Sequence, residues 1–119
     1  MMTAKAWQGK QGEELACRYL SARGLRLVQR NYRCGAGELD LIMRDGATLV
    51  FVEVRWRAPN RYASAAETIT PTKRRRLILA ARHYLLRLGA DPPCRFDVIA
   101  IDGSDAPALE WIRDAFRAD

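Results

Sequence analysis

Two carboxylates stand inside runs that otherwise read as buried β-strand: Asp40 in Leu39-Asp40-Leu41-Ile42 and Glu53 in Phe51-Val52-Glu53-Val54-Arg55. A carboxylate taken out of water needs a cation, a cage of hydrogen-bond donors or a raised pKa, because the uncompensated charge is costly. Two such acids on one face, with a backbone carbonyl such as that of Val54 beside them, form an all-oxygen ligand set of the kind that suits Mg²⁺ or Mn²⁺. An ion held there can polarise a phosphoryl group, and Arg55 can stabilise negative charge on its oxygens. The chemistry that follows is phosphodiester hydrolysis. The same three residues, Asp40, Glu53 and Arg55, also suit a structural ion-pair network.

Whether the acids meet depends on the hairpin between them. Asp45-Gly46 is a strong turn signal between the apolar segments 38–44 and 47–57. A two-residue turn on this pair sets Asp40 opposite Phe51, with Glu53 as its diagonal neighbour about 7–8 Å away on the same side. A four-residue loop sets Asp40 directly opposite Glu53, again on one face, whereas a three-residue loop separates them, since a slip of one residue turns every side chain over. In the even registers Arg55 shares the face of Glu53, and Val50, Val52, Val54 and Trp56 take the other.

Helices must cover these strands. From about Gln8 to Arg23, Leu15, Ala16, Tyr19 and Leu20 recur at helical spacing, with Gly24 at the expected stop. Glu13 lies on the face of Ala16, Cys17 and Leu20, which places it as a third carboxylate reaching toward the strand acids or as a first-turn glutamate that favours the helix dipole. The stretch 25–34 reads as a strand. Thr70-Pro71 reads as an N-cap with proline at the first helical position, and Leu77, Ile78, Ala81, Leu85 and Leu88 form the stripe of a second helix that stops at Gly89. Residues 95–102 make a buried-type strand and 109–112 a weaker one. The order of helix, three strands, helix and one or two strands predicts an α/β sandwich in which helices flank a mixed central β-sheet.

The chain of 119 residues, 49% of them apolar, predicts one domain over 1–119. Twenty Lys and Arg against 14 Asp and Glu give a net charge of +6, which favours an anionic partner. Lys73-Arg74-Arg75-Arg76 stands at the start of the second helix, where positive charge opposes the macrodipole, so a phosphate contact explains the cluster better than helix stability does. Arg57 and Arg61 extend it toward a nucleic-acid groove; the alternative is a solvated charged face. His83 reads as a surface residue, while Trp7, Trp56 and Trp111 read as core or as an oligomer contact, which leaves room for a homodimer. Three scattered cysteines and no apolar run of about 20 residues predict a reduced, cytoplasmic protein without a membrane span.

These segments together give a resemblance that covers nearly the whole chain. Gly12-Glu13-Glu14, Gly37-Glu38-Leu39-Asp40-Leu41-Ile42, Val50-Phe51-Val52-Glu53-Val54-Arg55, Thr70-Pro71-Thr72-Lys73 and Arg95-Phe96-Asp97-Val98 resemble the YraN-like family of predicted endonucleases. That family is similar in fold to archaeal Holliday junction resolvases and type II restriction enzymes. The resemblance implies a restriction-endonuclease-like α/β sandwich and a Mg²⁺- or Mn²⁺-dependent endonuclease acting on DNA, including branched DNA. It sets the two motif acids on Asp40 and Glu53, the helix glutamate on Glu13, and the motif lysine on Arg55. Arginine there departs from the pattern: lysine can shed a proton, whereas arginine stays charged and serves only as a forked donor. A nucleic-acid-binding module without turnover is the alternative that this departure implies.

Overall fold

A computed structural model of the chain describes residues 4–57, 69–103 and 105–118, with side chains from residue 8 onward. Arg61 and the side chain of Trp7 lie outside the described residues. The elements are α1 (Ala4–Ser21), β1 (Arg26–Cys34), β2 (Gly37–Asp45), β3 (Thr48–Arg57), α2 (Pro71–Leu88), β4 (Cys94–Asp102) and β5 (Leu109–Phe116). The strands form one sheet in the order β1-β2-β3-β4-β5. β3 and β4 are parallel and all other neighbours antiparallel, so the sheet is mixed and α2 lies on the connection between its parallel pair. This is an α/β fold whose layout is that of the restriction-endonuclease-like sandwich.

Each helix covers one face. Ala16, Cys17 and Leu20 of α1 pack with Leu41, Met43, Val50, Val52, Ile99 and Ile101. Leu77, Ala80 and Ala81 of α2 pack with Leu39, Ile42, Leu49, Phe51, Val98 and Ala100 on the other side. The inner strands are apolar on both faces because both faces are covered.

The ends of α2 follow from local chemistry. Thr70 is extended (φ −65°, ψ 158°) and its Oγ1 accepts the Lys73 N–H at 3.1 Å, while Pro71 starts the helix and Gly89 ends it in the left-handed region at φ 71°. β5 runs to Phe116, four residues beyond the expected end at Ile112. Its extension is held by Asp97, which is fully buried and accepts Trp111 Nε1 at 2.9 Å, the Asp114 N–H at 3.0 Å and Arg95 Nε at 3.0 Å. Trp56 packs toward α1 and donates Nε1 to Gln8 O at 2.9 Å, so Trp56 and Trp111 both serve the interior. His83, expected at the surface, is exposed, yet its Nδ1 meets the Tyr32 hydroxyl.

Candidate metal centre

The hairpin turn is centred on Gly46-Ala47, one residue later than expected. Asp45 pairs with Thr48, Arg44 with Leu49 and Leu41 with Val52. Gly46, at φ 61°, fills the first central position, where a two-residue hairpin of the II′ kind needs glycine. This is the register in which Asp40 comes opposite Glu53. Leu49 and Phe51 belong to the α2-side cluster and Val50 and Val52 to the α1 side, so Glu53 and Arg55 face α2 while Val54 and Trp56 pack toward α1.

Regular pairing stops at Leu41↔Val52, and the cause is Asp40. Its Oδ2 accepts the Val54 N–H at 2.9 Å, so a side chain replaces a backbone acceptor and β2 parts from β3. The alternation of β2 breaks at the same point, since Leu39 belongs to the α2-side cluster and Leu41 to the α1-side cluster. Asn31, on the neighbouring strand, takes φ 50°. Through this kink Asp40 meets acids from both layers.

On one side, carboxylate oxygens of Glu13, Glu38 and Asp40 all lie within 4.8 Å of one another. On the other, Glu53 hydrogen-bonds Asp40, and its Oε2 lies 3.3 Å from Lys73 Nζ. Glu53 is 5% exposed. Two glycines bring the helices this close. A Cβ on Gly12 would meet Trp56 Nε1 at 2.6 Å, and one on Gly37 would meet the Arg76 carbonyl oxygen at 2.9 Å. The bare backbone at Gly12 lets α1 set Glu13 beside the strand acids, and that at Gly37 lets the first turns of α2 set Lys73 over Glu53.

The electrostatics show a surplus of acid. Burial, and then the hydrogen bond and charge of Glu53, push the Asp40 carboxyl up to about 8, against the Val54 N–H and the Lys73 charge. Glu13 is also raised, first by burial and then by the charges of Asp40 and Glu38, against a hydrogen bond from Asn31. Converging oxygens with too much negative charge suit a hard divalent cation, so Glu13, Glu38 and Asp40 fit the role of its ligands.

Of the residues expected from sequence, Glu13, Asp40, Glu53 and Lys73 meet here. Val54 contributes its N–H to Asp40, and Arg55 follows Glu53 on the same face with no salt bridge among the described residues. Arg57 pairs with Glu110 at 2.9 Å. Arg74 donates Nε to the Ile69 carbonyl at 3.2 Å and lies 5.6 Å from the Phe116 ring, which turns it toward the β5 side. Glu38 was missed as a ligand, although a strand period of two puts it on the face of Asp40. Asn31, whose signal is structural, was missed as well.

The profile of the uncharacterised protein family UPF0102 matches residues 12–101. Among similar proteins, a UPF0102 protein of Nitrosococcus oceani is 55% identical over 115 residues, covering 94% of this chain and 93% of its own. Another from Ralstonia pickettii is 57% identical over 116 residues, covering 93% of this chain and 90% of its own. A third from Nitrosospira multiformis is 52% identical over 109 residues, covering 92% of each. The matched span runs from Gly12 to Ile101 and so includes both packing glycines, all four clustered carboxylates and Lys73: the chain belongs to the UPF0102 family.

Proposed function

We propose that the chain is a divalent-metal-dependent nuclease that hydrolyses phosphodiester bonds in DNA. The observation that carries this reading is the convergence of Glu13, Glu38 and Asp40 from a helix and a strand onto one point, where burial and the neighbouring Glu53 raise the Asp40 carboxyl. What Mg²⁺ or Mn²⁺ supplies in such a set is polarisation of the scissile phosphoryl group and acidification of an attacking water. Glu13, Glu38 and Asp40 would hold the ion, and the Val54 N–H keeps the Asp40 carboxylate aimed. Glu53 holds Lys73 at the α2 side of the cluster, so the lysine charge is available to phosphoryl oxygens next to the ligands. Arg55, two residues on from Glu53, adds a fixed positive charge and cannot serve as a base.

The test is incubation of the purified protein with linear, flapped and four-way-junction DNA, in Mn²⁺ and in EDTA. Cleavage by the wild type in Mn²⁺, lost in EDTA and in Glu13→Gln, supports the reading. Intact DNA in every case, with the protein still bound to it, favours the module without turnover, for which arginine at position 55 is the specific observation.

A further inference from the structure

The cations expected to meet the nucleic-acid backbone divide in the structure. Arg57 is taken by Glu110, and Arg74 is turned toward Ile69 and Phe116. Beside the carboxylates a cleft of about 320 Å³ opens between the β1–β2 hairpin and the start of α2. Arg33, Cys34, Gly37, Glu38, Lys73 and Arg76 line it. Three cations from two elements thus face one acid. That acid, Glu38, also belongs to the metal-ligand set, so cleft and metal centre share a wall.

The chemistry of the cleft suits a phosphate. Arg33 meets Glu38 through Nε at 3.2 Å with its side chain 74% exposed, which leaves the outer guanidinium N–H groups facing solvent. Arg76 is exposed and makes no ion pair among the described residues. The first turn of α2 contains no acid, so positive charge there is unopposed by its own helix and is disfavoured by the dipole. A bound anion relieves both. The close approach of Gly37 to the Arg76 backbone fixes the spacing between the two arginine-bearing elements.

We propose that this cleft seats a second backbone phosphate of the nucleic acid, next to the phosphodiester at the carboxylates, with Arg33 and Arg76 as its donors and Lys73 between the two positions. The inference rests on the nucleic-acid reading above and deepens it. It makes the substrate a polynucleotide with a phosphate on at least one side of the cut, and it moves backbone recognition from Arg57 and Arg74 to Arg33 and Arg76.

The experiment is anisotropy with a fluorescent DNA duplex in EDTA at several salt concentrations. It compares wild type, Arg33→Ala/Arg76→Ala, Arg33→Lys/Arg76→Lys, and the control Arg26→Ala/Arg113→Ala, which removes equal charge at the far end of β1 and on β5. Each lost phosphate contact lowers the salt slope by about 0.9. The cleft alanine pair, which loses that one phosphate, should therefore lose roughly 1 from its slope, while the lysine pair and the control keep the wild-type value. Melting curves for all four proteins confirm folding. Equal slope changes in the two alanine pairs, or no binding by the wild type at low salt, overturn the subsite. A parallel arm with Mn²⁺ separates the two readings: uncut DNA together with the expected slope loss removes the nuclease reading and leaves the subsite standing.

Discussion

Replacing Asp40 by asparagine should make the metal-free protein more stable, and increasingly so as pH rises. Folding raises the Asp40 pKa from 3.8 to about 8. Between these values the folded state holds a proton that the unfolded state has released. For an acid raised in this way the stabilisation is complete below the unfolded pKa and is lost as pH climbs to the folded one. The loss amounts to about 1.4 kcal/mol per pH unit, and on the order of 6 kcal/mol over the whole interval. Asparagine carries no such titration. Its oxygen can still accept the Val54 N–H, and its amide can donate to Glu53 as the protonated Asp40 does. In EDTA, urea unfolding at pH 5, 6, 7 and 8 should show the variant gaining on the wild type by up to about 1.4 kcal/mol per unit. Mn²⁺ reverses the comparison. Because the ion must displace the Asp40 proton, its stabilisation of the wild type should grow with pH toward 8, and the variant should respond weakly. A stability gap that does not change with pH would refute the shared proton. A wild-type melt indifferent to saturating Mn²⁺ at pH 8.5 would refute the metal centre. No arginine pairs with Asp40 among the described residues, so the loss of about 3 kcal/mol expected of a broken buried ion pair should not occur.

Other outcomes follow from contacts at the edges of the site. Gly12→Ala should cost about 1–3 kcal/mol in urea unfolding, because its methyl displaces the Trp56 ring, and it should weaken Mn²⁺ binding by carrying Glu13 away. Asp97→Ala strands the Trp111 and Asp114 N–H groups and weakens the hold on Arg95. It should cost about 3 kcal/mol or more while leaving the response to Mn²⁺ intact. Thr70→Ala should lower stability by about 1 kcal/mol through the lost cap, read by the same unfolding assay.

The sheet, the helices and the caps were legible because each rests on local chemistry. Thr70-Pro71 and Gly89 bound α2 where capping and left-handed glycine require it, and the parity of the hairpin put Asp40 and Glu53 within reach of each other. The identity of the ligand set was harder to read. Period two and the hairpin parity put Glu38, Asp40 and Glu53 on one face but cannot show a kink that also lets Asp40 meet Glu13 from the opposite layer, since the kink comes from its own carboxylate taking the Val54 N–H. The roles of the cations were equally hidden. Lys73, Arg74 and Arg76 lie within one turn and a half of α2, yet one faces Glu53, one turns to Ile69 and Phe116, and one lines the cleft. Only the packed neighbours sort them.

β1 closes one side of the sheet, and no strand pairs with its outer edge among the described residues. Leu27 and Val28 on it are 40% and 42% exposed, a composition that invites self-association. Arg26, Arg30 and Arg33 flank that stretch, and charged side chains of this kind discourage edge-to-edge pairing. Arg33, which lines the cleft beside α2, therefore also stands on this edge. If a polyanion seats on Arg33 as proposed, it neutralises part of that charge, so edge-to-edge pairing should be strongest in the presence of nucleic acid at low salt, and light scattering should rise with loading under those conditions.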